Sequence, residues 1–138
     1  MDKKVDIHKA AGVLLKDRQF LISRSKGKDF FIAPGGKVEK GEGVREALIR
    51  ELKEELEINV DVNDLEEFGV FYALAAGHAD KYLQMDVFIV KKWAGEIIPA
   101  SEVEEIKWIN SNLPADIKLG SIFQHDVLPK LKSDKLID

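Results

Sequence analysis

The sequence predicts an α/β fold in which helices cover the faces of a mixed β-sheet. Three observations support this prediction. Patterned segments follow one another in the order β-β-α-β-β-β-α, the segment 43–56 is strongly helical in composition and period, and the 138 residues are enough for one substantial core. We therefore expect a single domain spanning residues 1–138.

The first half of the chain predicts a β-hairpin and a tight turn. Residues 5–15 and 19–24 alternate or run apolar and are separated by Lys16-Asp17-Arg18, which is typical of two antiparallel strands. A short apolar segment at 30–32 leads into Ala33-Pro34-Gly35-Gly36, whose composition predicts a turn. The strongly helical segment begins a short polar loop later.

The second half of the chain predicts three strands and a closing helix. In chain order we expect a loop at 61–64, a strand at 66–76, a turn at 77–80, a strand at 81–93, an acidic loop at 96–105, a strand at 105–110 and a helix at 120–132 with Pro129 near its end. Helices before and after these strands can cover the two faces of the sheet.

Composition and charge exclude several classes of function. The chain has no cysteine, so it has neither disulfides nor a thiolate metal site. A net charge of −4 without a basic run argues against binding to duplex nucleic acid. No apolar run approaches the roughly 20 residues of a membrane span, and the charged amino terminus does not resemble a signal peptide. We expect a cytoplasmic protein, for which a free nucleotide with its own metal ion is a suitable ligand.

The helical segment concentrates carboxylates beside its apolar face. At about 100° per residue, one arc is apolar, and it consists of Val44, Leu48, Ile49, Leu52 and Leu56. Glu51 and Glu54 fall beside the edge of this arc, and Glu55 falls inside it. A carboxylate on the buried side of a helix is costly unless a cation balances it. The spacings i, i+3 and i+4 bring all three within reach of one ion, and oxygen ligands of this kind suit Mg²⁺ or Mn²⁺.

Two further observations bear on this metal site. Charge alone favours a simpler interpretation, an acidic surface helix with ion pairs such as Glu46–Arg50 and Lys53–Glu57. The preceding loop favours the metal, because Pro34-Gly35-Gly36 allows the backbone to approach a ligand closely, so that the Gly36 carbonyl can join the carboxylates.

The loop and helix together follow the pattern G-x5-E-x7-R-E-U-x-E-E-x-G-U, where U is a bulky aliphatic residue, and this pattern resembles the Nudix box. Eight of its nine defined positions are matched, by Gly36, Glu42, Arg50, Glu51, Leu52, Glu54, Glu55 and Ile58. The ninth, a glycine in the family, is Glu57 here. Because glutamate adopts a left-handed conformation less easily than glycine, we expect the helix to run further or end differently, without an effect on the chemistry.

The resemblance implies a Nudix-type α/β/α sandwich and a metal-dependent hydrolase of nucleoside diphosphates linked to another group. Glu51, Glu54, Glu55 and the Gly36 carbonyl should hold the metal, and Arg50 should orient Glu51 or its neighbours. A box glutamate or a glutamate on a distant loop should deprotonate the attacking water. Within the acidic loop we choose Glu102 for that role.

The carboxyl half of the chain resembles the MutT-type branch of the family, which cleanses oxidised nucleoside triphosphates. That branch implies a nucleoside triphosphate, unmodified or oxidised, cut to a monophosphate and pyrophosphate. We assign Arg24 to a phosphate, Gln124 to the base and Lys37 to the substrate. The absence of a proline between Pro34 and Pro99 argues against ADP-ribose.

Other functions stay open at this point. ADP-ribose, a nucleotide sugar or a dinucleoside polyphosphate are alternative substrates within the family. A nucleotide-sensing domain without catalysis is an alternative of another class, although such domains usually lose box glutamates. No oligomeric state follows from the sequence.

Overall fold

The computed structural model describes residues 4–75 and 78–138. Its sheet has six strands, in the order β4-β5-β1-β2-β6 with β3 paired to β1. The strands are β1 (Ile7–Lys16), β2 (Gln19–Ser25), β3 (Gly35–Lys37), β4 (Leu65–Ala75), β5 (His78–Val90) and β6 (Val103–Ile109). The helices are α1 (Val44–Leu56) and α2 (Leu128–Ser133), and a 3₁₀ turn lies at Val62–Asp64. No helix in these ranges is both long and apolar enough to cross a membrane.

Strand β1 organises the sheet. It pairs in parallel with β5 over eight positions, from Ile7↔Leu83 to Leu14↔Val90, and in antiparallel fashion with β2 at its far end. Near its start it also pairs with the short strand β3, through Lys9↔Lys37, Ala10↔Gly36 and Ala11↔Gly35. The sheet is therefore mixed, as predicted, and the predicted hairpin of the first two strands is confirmed.

Each face of the sheet carries its own apolar core. On one face, buried side chains of α1 pack against β1, β2 and β5, and this core includes Leu14, Leu21, Leu48, Leu52, Leu56 and Phe88. On the other face, the carboxyl-terminal helix packs through Phe123, Val127, Leu128 and Leu131. Helices on both faces of one mixed sheet confirm the predicted α/β/α sandwich.

The predicted turn at 33–36 is wrong in its second half, because Gly35 and Gly36 belong to strand β3. Gly35 has a φ of 155°, and a β-carbon there would collide with the carbonyl oxygen of Ala10 and lie 2.8 Å from the α-carbon of Ala11. Glycine thus allows β3 to lie against β1 at this point. The backbone is extended here because it pairs with β1, a contact distant in sequence.

Other boundaries also differ from the prediction. The predicted turn at 77–80 is wrong for its last three residues, since β5 begins at His78, and position 77 lies outside the described residues. Strand β5 ends at Val90, three residues earlier than predicted, and the amide of Lys91 instead donates to the carbonyl of Asp64. The predicted loop at 61–64 contains the 3₁₀ turn, in which the amide of Asn63 donates to the side chain of Asp61.

The closing helix contains a π-helical segment that the sequence did not suggest. Residues Phe123–Val127 are π-helical and lead directly into α2, where Pro129 lies in the first turn of the new helix and not near its end. The amide of Leu128 donates to the carbonyl of Phe123, five residues back. A proline lacks an amide hydrogen and its ring crowds the preceding turn, and the wider π-turn accommodates both effects.

Helix α1 ends where the family pattern would end it, which corrects the expectation for Glu57. Glu57 has a φ of 58° and a ψ of 28°, and its amide donates to the carbonyl of Lys53. The helix therefore neither runs further nor ends differently, because the glutamate adopts the left-handed conformation that glycine would supply. A non-glycine residue in this conformation costs about 1 kcal/mol.

Candidate active site

Helix α1 presents its carboxylates toward the glycines of β3. The buried residues of the helix are Ala47, Leu48, Leu52 and Leu56, which matches the predicted apolar arc, with Val44 and Ile49 half-buried at its sides. This packing fixes the rotation of the helix and turns Glu51 and Glu55 toward β3. A β-carbon at Gly36 would lie 2.6 and 2.7 Å from the two carboxylate oxygens of Glu51. Only glycine allows that approach.

Glu55 is the most strongly perturbed acid of the helix. It is half-buried, and its Oε2 accepts a hydrogen bond of 3.1 Å from the amide of Gly35. Burial raises the pKa of Glu55 to about 8, with further contributions from the negative charges of Glu51, Glu54 and Glu102. Burial likewise raises the pKa of Glu51, whereas Arg50 opposes the shift. Without a cation, the site accommodates its negative charges poorly.

Arg50 connects the loop before α1 with the carboxylates on it. Its guanidinium donates to Glu42 at 2.8 and 2.9 Å, to Glu51 at 3.0 Å and to the carbonyl of Lys37 at 3.0 Å. A weaker contact of 3.5 Å reaches the exposed Glu54. The bidentate contact with Arg50 lowers the pKa of Glu42 to about 2. Arg50 pairs with these residues and not with Glu46, so the structure brings Arg50 and Glu51 together as predicted.

The acidic loop is attached to the carboxyl end of α1. The amides of Ile98 and Ala100 donate to the carbonyls of Leu56 and Glu55, which would otherwise lack partners at a helix end. The amide of Lys26 donates to the carbonyl of Glu102. The exposed Glu102 is thereby held near enough to contribute to the raised pKa of Glu55. Its role as a base stays a prediction.

The donor set fits a hard divalent cation. Glu51, Glu54 and Glu55 supply carboxylate oxygens, and two of them have raised pKa values that a bound cation would reverse. Within residues 4–75 and 78–138, no three His, Cys, Asp or Glu side chains already lie close enough together to hold a metal ion. Instead Arg50 engages Glu51 and Glu54, and the amide of Gly35 engages Glu55.

A cavity of about 340 Å³ lies on the other face of β1 and β3. Its walls are mainly apolar and include Ile7, Ile32, Leu83, Met85 and Phe123. Three lysines also line it, Lys9, Lys28 and Lys37, whereas none of the other described residues that line it is acidic. Burial lowers the pKa of Lys9, and the neighbouring charges of Lys37 and Lys28 lower it further. The cavity is suited to an apolar or planar ligand that carries an anionic group.

The three predicted substrate residues lie in three different places in the structure. Lys37 lines the cavity. Arg24 is engaged by Glu104 at 3.4 Å and Glu105 at 3.3 Å, and it lines a separate cavity of about 370 Å³. Gln124 is exposed on the π-helical segment and is not among the residues that line the lysine cavity. The assignments of Arg24 and Gln124 stay predictions.

Lys9 and Lys28 line the cavity, and the sequence did not single them out. The signal for Lys9 is a lysine directly before the apolar run 10–15, on the same face of the strand as the buried Ala11. For Lys28, which lies in a polar loop, no local pattern distinguishes a cavity residue from a solvated one.

The chain is similar to several known proteins. The model of the NUDIX domain matches residues 6–131. An uncharacterized Nudix hydrolase of Bacillus subtilis, YvcI, is 30% identical over 100 residues, which cover 72% of this chain and 63% of that protein. The 8-oxo-dGTP diphosphatase of Proteus vulgaris is 33% identical over 102 residues, covering 70% of this chain and 86% of that protein.

Two further similarities concern another activity and the fold. The ADP-ribose pyrophosphatase of Methanocaldococcus jannaschii is 33% identical over 123 residues, covering 86% of this chain and 68% of that protein. The crystal structure of a MutT NUDIX hydrolase from Burkholderia pseudomallei superposes with a TM-score of 0.73 at 21% identity, covering 91% of this chain and 95% of that chain. The last similarity concerns the fold alone.

Proposed function

The chain belongs to the NUDIX family, and on that premise we propose that it is a metal-dependent pyrophosphohydrolase of nucleoside triphosphates. The reaction is the hydrolysis of a triphosphate, unmodified or oxidised, to a monophosphate and pyrophosphate. One observation carries the proposal: the carboxylates on α1 and a cationic cavity with apolar walls lie on the two sides of β1 and β3, close enough for Lys9 of the cavity to interact with the charges of Glu51 and Glu55. Such a pair of sites suits a ligand with a metal-binding polyphosphate and a planar base.

Enzymes of this family generally depend on divalent metal ions. We propose Mg²⁺ or Mn²⁺, held by Glu51, Glu54, Glu55 and the Gly36 carbonyl. Such an ion, when bound, supplies positive charge that offsets the charge of the pyrophosphate and makes a bound water more acidic. Arg50 fixes the carboxylate of Glu51 through its hydrogen bond, with Glu42 bracing the guanidinium on its other side.

Glu102 takes the proton of the attacking water in this proposal. A general base must lie within hydrogen-bond reach of the water and have a carboxylate oxygen free to accept the proton. Glu102 is exposed and attached through its loop to the carboxyl end of α1, beside Glu55. In contrast, Glu104 and Glu105 lie on strand β6 and not in the predicted acidic loop, and Arg24 engages both.

The triphosphate is favoured by the similarity to 8-oxo-dGTP diphosphatases and by the lack of a proline between Pro34 and Pro99. The similarity to an ADP-ribose pyrophosphatase supports ADP-ribose as the second candidate. A nucleotide-sensing domain without catalysis is the alternative of another class, and the retained box carboxylates argue against it. We also propose a cytoplasmic location for the protein, with no role in binding membranes or duplex nucleic acid.

The test is a hydrolysis screen with Mg²⁺, with Mn²⁺ and with EDTA. The substrates are unmodified and oxidised nucleoside triphosphates, ADP-ribose, nucleotide sugars and dinucleoside polyphosphates, with products identified by chromatography. We expect a metal-dependent release of monophosphate and pyrophosphate from at least one triphosphate. Faster turnover of ADP-ribose or a nucleotide sugar than of every triphosphate would contradict the substrate class. Equal activity in EDTA would contradict the metal.

A further inference from the structure

Two lysines lie side by side on adjacent strands of the sheet, near the carboxylates of α1. Lys9 of β1 is the register partner of Lys37 of β3, and the side chains of such a pair lie on the same face of the sheet. Like charges in this position destabilise a sheet, and burial of one of them adds to the cost. Lys28 lines the same cavity and lies near enough to Lys9 to interact with its charge.

No protein carboxylate compensates for this positive charge by direct contact. Among the residues that the structure describes, none forms an ion pair with Lys9, Lys28 or Lys37 within 4.0 Å. Within the described part of the chain, every other side chain that lines the cavity is uncharged. An unbalanced cationic group of this kind, half-enclosed by apolar walls, is suited to a bound anion.

The position of Lys9 indicates which anion. Lys9 lines the apolar cavity and also interacts electrostatically with Glu51 and Glu55 of the metal site. A nucleotide that places its base in the cavity and its cleaved anhydride at the carboxylates has one group between the two. That group is the phosphate joined to the nucleoside.

We propose that Lys9, assisted by Lys28 and Lys37, binds the phosphate that is joined to the nucleoside. This inference rests on the proposed function, which puts the base in the cavity and the anhydride at α1. Lys9 is then a substrate-binding residue that holds the nucleotide without being a metal ligand. The bound phosphate also relieves the repulsion between Lys9 and Lys37.

The experiment compares ligands with and without that phosphate. Metal-free protein in EDTA is titrated by NMR with dAMP, dCMP, dGMP and dTMP, and with the four matching deoxynucleosides. The variants are Lys9→Met, which keeps the aliphatic stem, Lys9→Gln as a second neutral variant, and Lys9→Arg, which keeps the charge. Lys16→Met is the matched control, because Lys16 lies on the same strand but is exposed at its hairpin end.

We expect the wild type and Lys16→Met to bind the preferred mononucleotide about tenfold or more tightly than its nucleoside. Lys9→Met and Lys9→Gln should lose most of this preference, and Lys9→Arg should retain part of it. Nucleoside affinity should be unchanged in all variants. Lys9→Met should also raise the melting temperature of the metal-free protein, since it removes one of two facing charges.

Two results would overturn the inference: a wild type without preference for the mononucleotides, or a preference that survives in both neutral Lys9 variants. A lowered melting temperature with an intact preference would assign Lys9 to packing only. The outcome of the hydrolysis screen is independent of this experiment. If no triphosphate is cleaved but the preference depends on Lys9, the proposed reaction falls and the phosphate site stands.

Discussion

The carboxylate of Glu51 lies directly against the α-carbon of Gly36, so that a β-carbon at position 36 would lie 2.6 Å from Oε1 and 2.7 Å from Oε2. Gly36→Ala should therefore displace Glu51 and lower kcat/KM by about 100-fold or more, because misplacing a group by 1 Å costs about that much. Steady-state kinetics at saturating metal checks this. Gly43→Ala is the control, since its nearest neighbour would be 3.5 Å away and its φ of −76° suits alanine. Equal activities of the two variants would contradict the role of Gly36.

The raised pKa of Glu55 predicts a pH dependence of stability in the metal-free protein. Glu55 has a pKa of about 8 in the folded state against an ordinary value of 4.5, so the folded state holds its proton more tightly than the unfolded state. Stability is then lost as the pH rises from about 4.5 to about 8. The melting temperature in EDTA should fall by about 5 °C or more over this range.

Glu55→Gln tests the assignment of this effect. The variant should flatten the decline of the melting temperature with pH, because the amide does not ionise. Mg²⁺ should raise the melting temperature of the wild type more at pH 8 than at pH 5, and it should have little effect on the variant. A decline of the same size in the variant would show that another group is responsible.

Glu54→Gln should separate metal binding from folding. Glu54 is exposed and makes only a long contact with Arg50, so the change should alter the free energy of unfolding by less than about 0.5 kcal/mol. Loss of one ligand charge should nevertheless lower kcat by about 100-fold and raise the metal concentration needed for half activity. Glu46→Gln, at an exposed position of the same helix outside the cluster, should change neither quantity. A metal requirement unaltered in Glu54→Gln would remove Glu54 from the ligand set.

Glu57→Gly should stabilise the protein by about 1 kcal/mol, because Glu57 adopts a left-handed conformation that glycine adopts without strain. Denaturant unfolding measures this gain. Glu57→Ala removes the same charge but keeps the strain, so it should give no such gain. Both variants should keep kcat within a few-fold of the wild type. Loss of turnover in Glu57→Gly would show that the helix end takes part in the chemistry.

Glu102→Gln should lower kcat by about 100-fold or more while leaving KM and the metal requirement nearly unchanged, since a general base acts on the water and not on ground-state binding. Glu104→Gln is the control, because Glu104 lies two residues further along the chain, on β6, where Arg24 engages it. If the two variants behave alike, the base lies among the glutamates of α1.

Features that depend on local periodicity could be predicted from the sequence. The apolar arc of α1 and the placement of Glu55 on its buried side follow from helical spacing, and the structure confirms both. The first hairpin also follows from its alternating pattern. These elements carry their signal in neighbouring residues, so no tertiary information is needed.

Features that depend on distant pairing could not be predicted. Strand β3 is only three residues long and exists because β1 lies beside it. Arg24 is engaged by Glu105 because the two are register partners in β2 and β6, 81 residues apart. Glu57 adopts its left-handed conformation at the end of the helix, where the amides of residues 98 and 100 donate hydrogen bonds to the last carbonyls. Sequence spacing contains none of these contacts.

The pairing of β1 constrains how the length of this chain can change. Ala10 pairs with Gly36 on the face of the sheet that carries the carboxylates. The side chains of Lys9 and Ala11 lie on the other face. Because side chains alternate, inserting or deleting one residue among positions 9–11 would exchange the two faces, moving a lysine under the carboxylates of α1 and removing Lys9 from the cavity. Viable insertions and deletions should therefore be confined to places such as the tip of the first hairpin, at Asp17 and Arg18, where an added residue leaves both faces intact.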